Sequence, residues 1–156
     1  MERTLPRLLF TIKASRLLTP MKRLTMKRLK YVGEGVERCY VWLDPLVESP
    51  KLGPVLWELP ERFHRDEGRL TFALQRLPPG RHRFGFRHPS WFEPTGYALL
   101  CEHGVVLVVG DRPERPFQTY ELTTNWTFVR FYYGKGVPNV NYSERELEEW
   151  ERRFAV

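Results

Sequence analysis

Apolar residues in this chain fall into two kinds of pattern. Short, nearly continuous runs occupy residues 8–12, 52–60 and 105–109, and looser alternation covers 81–87 (Phe84 and Phe86 on one side) and 127–133. Runs of this length, rich in Val, Leu, Ile and Phe, read as strands, and those without a polar alternate read as strands buried on both faces. Between them the apolar positions spread to helical spacing over residues 21–46, 61–77 and 91–103, and a last helix runs from 143 to about 154. The punctuation agrees. Leu43-Asp44-Pro45 predicts the end of the first helix, Pro78-Pro79-Gly80 the end of the second and Gly104 the C′ position of the third. Ser143-Glu144-Arg145-Glu146 fits a capping box that opens the fourth. Gly33 and Gly35 weaken the first helix, each by about 1 kcal/mol relative to alanine. Residues 111–125 and 134–141 read as loops.

The order β-α-β-α-β-α-β-loop-β-α predicts an α/β fold built on a parallel sheet, either a (β/α) barrel or an open doubly wound sheet. No glycine-rich phosphate fingerprint follows the first strand, which removes support for the dinucleotide-binding version. A further regularity favours the barrel. Each strand carries polar groups near its C-terminal end: Lys13, Glu58, Arg87 with His88, Asp111, and Arg130 with Tyr132. In a β/α barrel those ends share one rim, where sites are built. Part of the regularity is only that a strand must meet water where it leaves the core.

Composition narrows the class. Hydrophobic residues make up 42% and aromatics 14% of 156 residues, enough for one domain spanning 1–156 with a real core. No stretch of eighteen apolar residues occurs, and the first residues carry no signal-peptide pattern, so the expectation is a cytoplasmic protein with no membrane span. The two cysteines, Cys39 and Cys101, read as buried or half-buried free thiols. Net charge is +6 and unevenly spread: residues 1–30 hold nine Lys/Arg against Glu2, and the rest of the chain is slightly acidic. That segment is either a solvated helix face or a patch for phosphate-rich partners.

Several stretches resemble one known family. FTIKASRLLT (residues 10–19), KLGPVLWELPERF (51–63), FRHPSWF (86–92), GVVLVVGD (104–111), FVRFYYG (128–134) and residues 142–150 occur in the order of the YecE-like family, domain of unknown function 72. The resemblance implies a TIM-barrel-like fold, with Arg87-His88-Pro89-Ser90-Trp91 at the top of one strand. It also implies five strands of eight. The family's Thr-Ser-Gly-Trp-like and Asn-Ser-Thr-like opening strands and its Tyr-Phe-Asn-Asn-Asp-like last strand have no counterpart here, and a full barrel needs roughly 200 residues at least. Within the matched part, positions where the family carries an acid and two histidines hold Gly85, Pro20 and Tyr132.

The chemistry expected of the rim follows from these residue types. Lys13, Arg87 and Arg130, with Glu58, Trp91 and Tyr132, are the candidate ligand-binding set, because arginine grips phosphate and carboxylate bidentately. His88 and Asp111 are the candidate acid–base pair, if they come within hydrogen-bond reach. A competing structural reading pairs Arg87 and Arg130 with Asp111 and Glu58 across the barrel mouth. No Cys-x-x-Cys or His-Glu-x-x-His spacing supports a metal, no cofactor is expected, and Ser90 lacks a nucleophile elbow. Two functions stand. The first is a degenerate barrel that binds an anionic or phosphate-bearing ligand, nucleic acid included, through the rim, residues 1–30 and exposed aromatics such as Trp91 and Phe92. The second is a phosphate-ester hydrolase using Lys13, Arg87, His88, Asp111 and Arg130. Open edges at the first and fifth strands also predict one of three outcomes: a homodimer that closes them, an aggregation-prone product, or a chain whose missing ends lie in neighbouring reading frames.

Overall fold

The computed structural model describes residues 5, 7–14, 30–111, 119–132 and 141–155. Most of the basic segment 1–30, Pro20 and the first part of the predicted helix 21–46 lie outside the described residues. Five strands, β1 (Phe10–Lys13), β2 (Leu52–Glu58), β3 (His82–Gly85), β4 (Val106–Gly110) and β5 (Phe128–Arg130), alternate with helices α1 (Lys30–Glu48), α2 (Glu67–Leu74), α3 (Pro94–Glu102) and α4 (Glu144–Phe154). All neighbouring pairs are parallel and follow chain order, β1-β2-β3-β4-β5. A doubly wound sheet must reverse its strand order at a switch point. Here every crossover steps the same way, and the result is an open half-barrel.

The two faces of the sheet differ. Val55 and Trp57 of β2, Phe84 of β3 and Leu107 of β4 pack with Val36, Cys39 and Leu43 of α1, with Leu70, Ala73 and Leu74 of α2, and with Leu100 of α3. The alternate residues Leu56, Arg83, Val106 and Val108 are buried on the opposite, barrel-interior face. Burial on both faces explains why β2 and β4 read as continuous apolar runs. Among the described residues no helix is long and apolar enough to cross a membrane.

Several boundaries move from their predicted places for identifiable reasons. Pro45 does not end α1 but lies inside its last turns. Proline removes the donor that would meet the Val41 carbonyl, and Val41 is 65% exposed, so water can take that bond. The end comes at Ser49, whose hydroxyl donates to the Pro45 carbonyl at 2.7 Å. The predicted helix 61–77 shrinks to α2, because Asp66 caps it by accepting from the Arg69 N–H at 3.0 Å. The predicted helix 91–103 divides into a 3-10 turn, Pro89–Trp91, and α3. Gly104, at φ +59, does close α3 in the left-handed conformation. Cys39 is buried, but Cys101 is exposed, contrary to expectation.

Beyond β4, Thr123 fastens the chain to the core. Its buried hydroxyl donates to the Val105 carbonyl at 2.7 Å and accepts from the Leu107 N–H at 2.9 Å. Trp150 of α4 then packs edge-on against Tyr120 and Phe131, which holds the last helix by β5. The predicted capping box is formed. Ser143 accepts from the Glu146 N–H, and the Glu146 carboxylate accepts from the Ser143 N–H at 2.9 Å. Ser143→Ala is expected to cost about 1 kcal/mol, read as a lower urea midpoint at unchanged slope.

Candidate functional site

Glu58 ends β2 with its side chain on the barrel-interior face, 13% exposed. Three cations from three other parts of the sheet meet it. Lys13 at the end of β1 places Nζ 2.5 Å from Oε2. Arg87, two residues past β3, donates from Nη2 to the same oxygen at 3.2 Å. Arg130 at the end of β5 donates to Oε1. Burial alone would raise the Glu58 carboxyl, but the Lys13 hydrogen bond and the charges of Arg130, Lys13 and Arg87 outweigh it and hold the pKa below its ordinary 4.5. The Arg130 guanidinium also lies over the Tyr132 ring, 4.8 Å from its centroid. The structure therefore brings together Lys13, Glu58, Arg87, Arg130 and Tyr132.

His88 and Asp111 take different partners. Asp111 accepts from the Tyr132 N–H at 2.9 Å and from the Tyr142 hydroxyl. The His88 Nδ1 lies 2.8 Å from the Ser90 hydroxyl and accepts from the Ser90 N–H at 3.3 Å. Its ring packs on His64, with centroids 3.8 Å apart. Burial, and then the His64 imidazole, hold His88 below the usual histidine value. The Ser90 hydroxyl in turn accepts from the Arg65 N–H at 2.8 Å. Ser90 is thus a fastener between the 3-10 turn and the loop before α2.

Trp91 is not the exposed stacking surface expected of it. It is 1% exposed, stacks on Phe86 and Phe63 with centroids 4.5 and 5.5 Å away, and donates its indole N–H to the Phe63 carbonyl at 2.9 Å. Pro89 sets the turn that tips this ring back into the core. Phe92 is half-buried beside it. The sequence Arg-His-Pro-Ser-Trp thus divides its labour: Arg87 goes to the rim, His88 caps the turn, and Ser90 and Trp91 hold the neighbouring loop.

One residue of this face escaped sequence reasoning. Arg83, in the middle of β3, is 1% exposed, and its guanidinium lies 3.5 Å from the centroid of the Phe128 ring. Among the described residues, its Nε and Nη1 have no hydrogen-bond partner. Burial, and then the like charge of Arg130, push its pKa down to about 10. The signal was the alternation itself: Arg83 shares the parity of Gly85 and Arg87, opposite Phe84 and Phe86.

This half-barrel and its motifs can be set beside known proteins. The profile of the family described as "Protein of unknown function DUF72" matches residues 1–156. The chain belongs to that family. No curated protein matches it. Among solved DUF72 structures, one from Thermotoga maritima MSB8 is 23% identical with a TM-score of 0.72, over 97% of this chain and 63% of that one. One from Enterococcus faecalis V583 is 16% identical with a TM-score of 0.68, over 97% of this chain and 67% of that one. The chain thus spans 63% of the length of the Thermotoga relative. At these identities the likeness establishes the fold, and the DUF72 profile the family.

Proposed function

We propose that this DUF72 chain is a single-domain binding protein that takes an anionic, phosphate-bearing ligand at the rim of its strands, and that it is no catalyst by itself. The observation that carries this reading is the convergence of Lys13, Arg87 and Arg130 on one half-buried carboxylate. Arg87 also lies 4.0 Å from the exposed Glu61 carboxylate; three cations against these two carboxylates still leave net positive charge in a partly desolvated cleft, where Coulomb attraction is stronger than in bulk water. Glu58 is the resident counter-ion. The space enclosed there, lined by Glu58, Gly85, Arg87 and Arg130 among others, is about 10 Å³. That is room for about one water, so a phosphate group enters as the Glu58 carboxylate gives way. The hydrolase reading needs His88 and Asp111 to work on one proton, and their separate hydrogen bonds favour binding over that reading.

Long-chain polyphosphate and single-stranded DNA are the probes. Three neutralised phosphates predict a slope of about −2 in log K against log salt on a single strand. Binding that is absent, or indifferent to salt between 50 and 200 mM, as about the range in which such contacts weaken, overturns the reading. Light scattering on the same samples tests the accompanying proposal of self-association at the β1 edge, where Leu8, Leu9 and Phe10 remain exposed.

A further inference from the structure

We infer that Arg83 is the inner anchor of the site, and that the ligand group it selects is a terminal phosphate or another compact oxyanion, not an internal phosphodiester. The inference rests on the rim reading above and refines its ligand class. Arg83 lies on the barrel-interior face two residues below Gly85 on β3, and Arg87 lies two residues above it. A parallel strand rises about 3.3 Å per residue, so the two arginines stand at different depths, about 13 Å apart along the strand at their backbones. Arg87 is at the mouth, 31% exposed, while Arg83 is buried.

A guanidinium in such a place is costly unless it is paired. Phe128 covers one of its faces, yet Nε and Nη1 remain without acceptors. Glu58 is engaged by Lys13, Arg87 and Arg130. An acceptor-rich anion reaching down from Gly85 would meet those free donors and relieve the repulsion between Arg83 and Arg130. Above Arg83 the strand carries no side chain at Gly85: a Cβ there would make ordinary contact, 3.5 Å from Cγ of Glu58 and 3.9 Å from Cβ of Val108, so an anion passes this point only as the Glu58 side chain gives way. A phosphodiester continues as chain on both sides of its phosphorus and cannot present a free end at this depth. A phosphate monoester or inorganic phosphate can, with up to three unsubstituted oxygens.

Calorimetric titration of the whole chain with inorganic phosphate, dimethyl phosphate and long-chain polyphosphate, repeated on Arg83→Met, tests this. Wild type is expected to bind inorganic phosphate at least tenfold more tightly than dimethyl phosphate. Arg83→Met is expected to lose at least tenfold toward inorganic phosphate while keeping its salt-sensitive attachment to polyphosphate, whose internal groups need only the rim. Its melting temperature should hold or rise, since an unpaired buried charge is gone. Wild-type phosphate affinity in Arg83→Met overturns the inference. Polyphosphate binding without phosphate binding in the wild type overturns it and leaves the rim reading standing, whereas no binding of either removes both. Should Arg83→Met not fold, Gly85→Asp decides. A carboxylate on the same face, two residues along β3 from Arg83 and against Glu58, should abolish phosphate binding, and undiminished phosphate binding in that variant overturns the inference.

Discussion

Replacing Glu58 with glutamine should weaken the fold and strengthen anion binding in the same protein. Gln keeps the shape but removes the charge on which Lys13, Arg87 and Arg130 converge. Breaking a fully buried pair by deleting one partner costs about 3–5 kcal/mol. The three cations are between 27% and 49% exposed, so water recovers part of that, and about 2 kcal/mol at pH 7 is the expected loss. A ligand phosphate, by contrast, no longer competes with a carboxylate. Removing one negative charge about 5 Å away is worth about 1–3 kcal/mol, which corresponds to roughly 5- to 100-fold in affinity for polyphosphate. Urea denaturation and calorimetry read the two effects separately. Loss of stability with loss of affinity would make Glu58 a ligand-orienting group. No change in either would mean that the cluster is only a surface feature.

The same carboxylate sets an acid limit. Its pKa is depressed in the folded state, so its contribution to stability is present above the unfolded value of 4.5 and drains away as pH falls through the lower folded value. Wild type should therefore lose stability over that window more steeply than Glu58→Gln, and the two curves should approach each other at its acid end.

Strand positions were legible because both-face burial writes them as continuous apolar runs, and β2 and β4 fall within one or two residues of the patterns that predict them. Helix limits were less legible. Pro45 looks like a terminator, yet its cost depends on whether the orphaned Val41 carbonyl can reach water, a property of the packed helix. The rim cations were legible from strand-end position alone, which the barrel topology turns into proximity. What those positions lacked was pairing: nothing in the spacing says that Glu58, 45 residues along the chain from Lys13 and 72 from Arg130, collects all three cations. Arg83 was hidden for the opposite reason. An arginine between His82 and Phe84 in a short alternating strand reads as the solvent-facing alternate, and only closure of the sheet toward a barrel makes that alternate an interior position.

The largest single loss should come from Trp91→Ala. The indole is fully buried, stacked on Phe86 and Phe63, and hydrogen-bonded to the Phe63 carbonyl. Removing a buried Trp leaves a cavity worth about 3–5 kcal/mol, against a total stability of about 5–15 kcal/mol for a domain. The damage should spread beyond that cavity, because Gly96 approaches the Trp91 carbonyl so closely that even a Cβ would lie 2.5 Å from it, which leaves α3 seated on the turn. A shallow urea transition and a lost near-ultraviolet circular dichroism signal are the expected readouts, and a cost under about 1 kcal/mol, the level of an ordinary surface change, would refute the packing role. Trp91→Phe is the companion. It keeps most of the stacking but strands the Phe63 carbonyl, at about 1–2 kcal/mol, and the protein should still fold. Because the ring never reaches the rim, polyphosphate affinity should be unchanged in Trp91→Phe. If that variant stays folded yet binds polyphosphate several-fold more weakly, Trp91 is a ligand platform after all, and the turn that buries it must open when the ligand arrives.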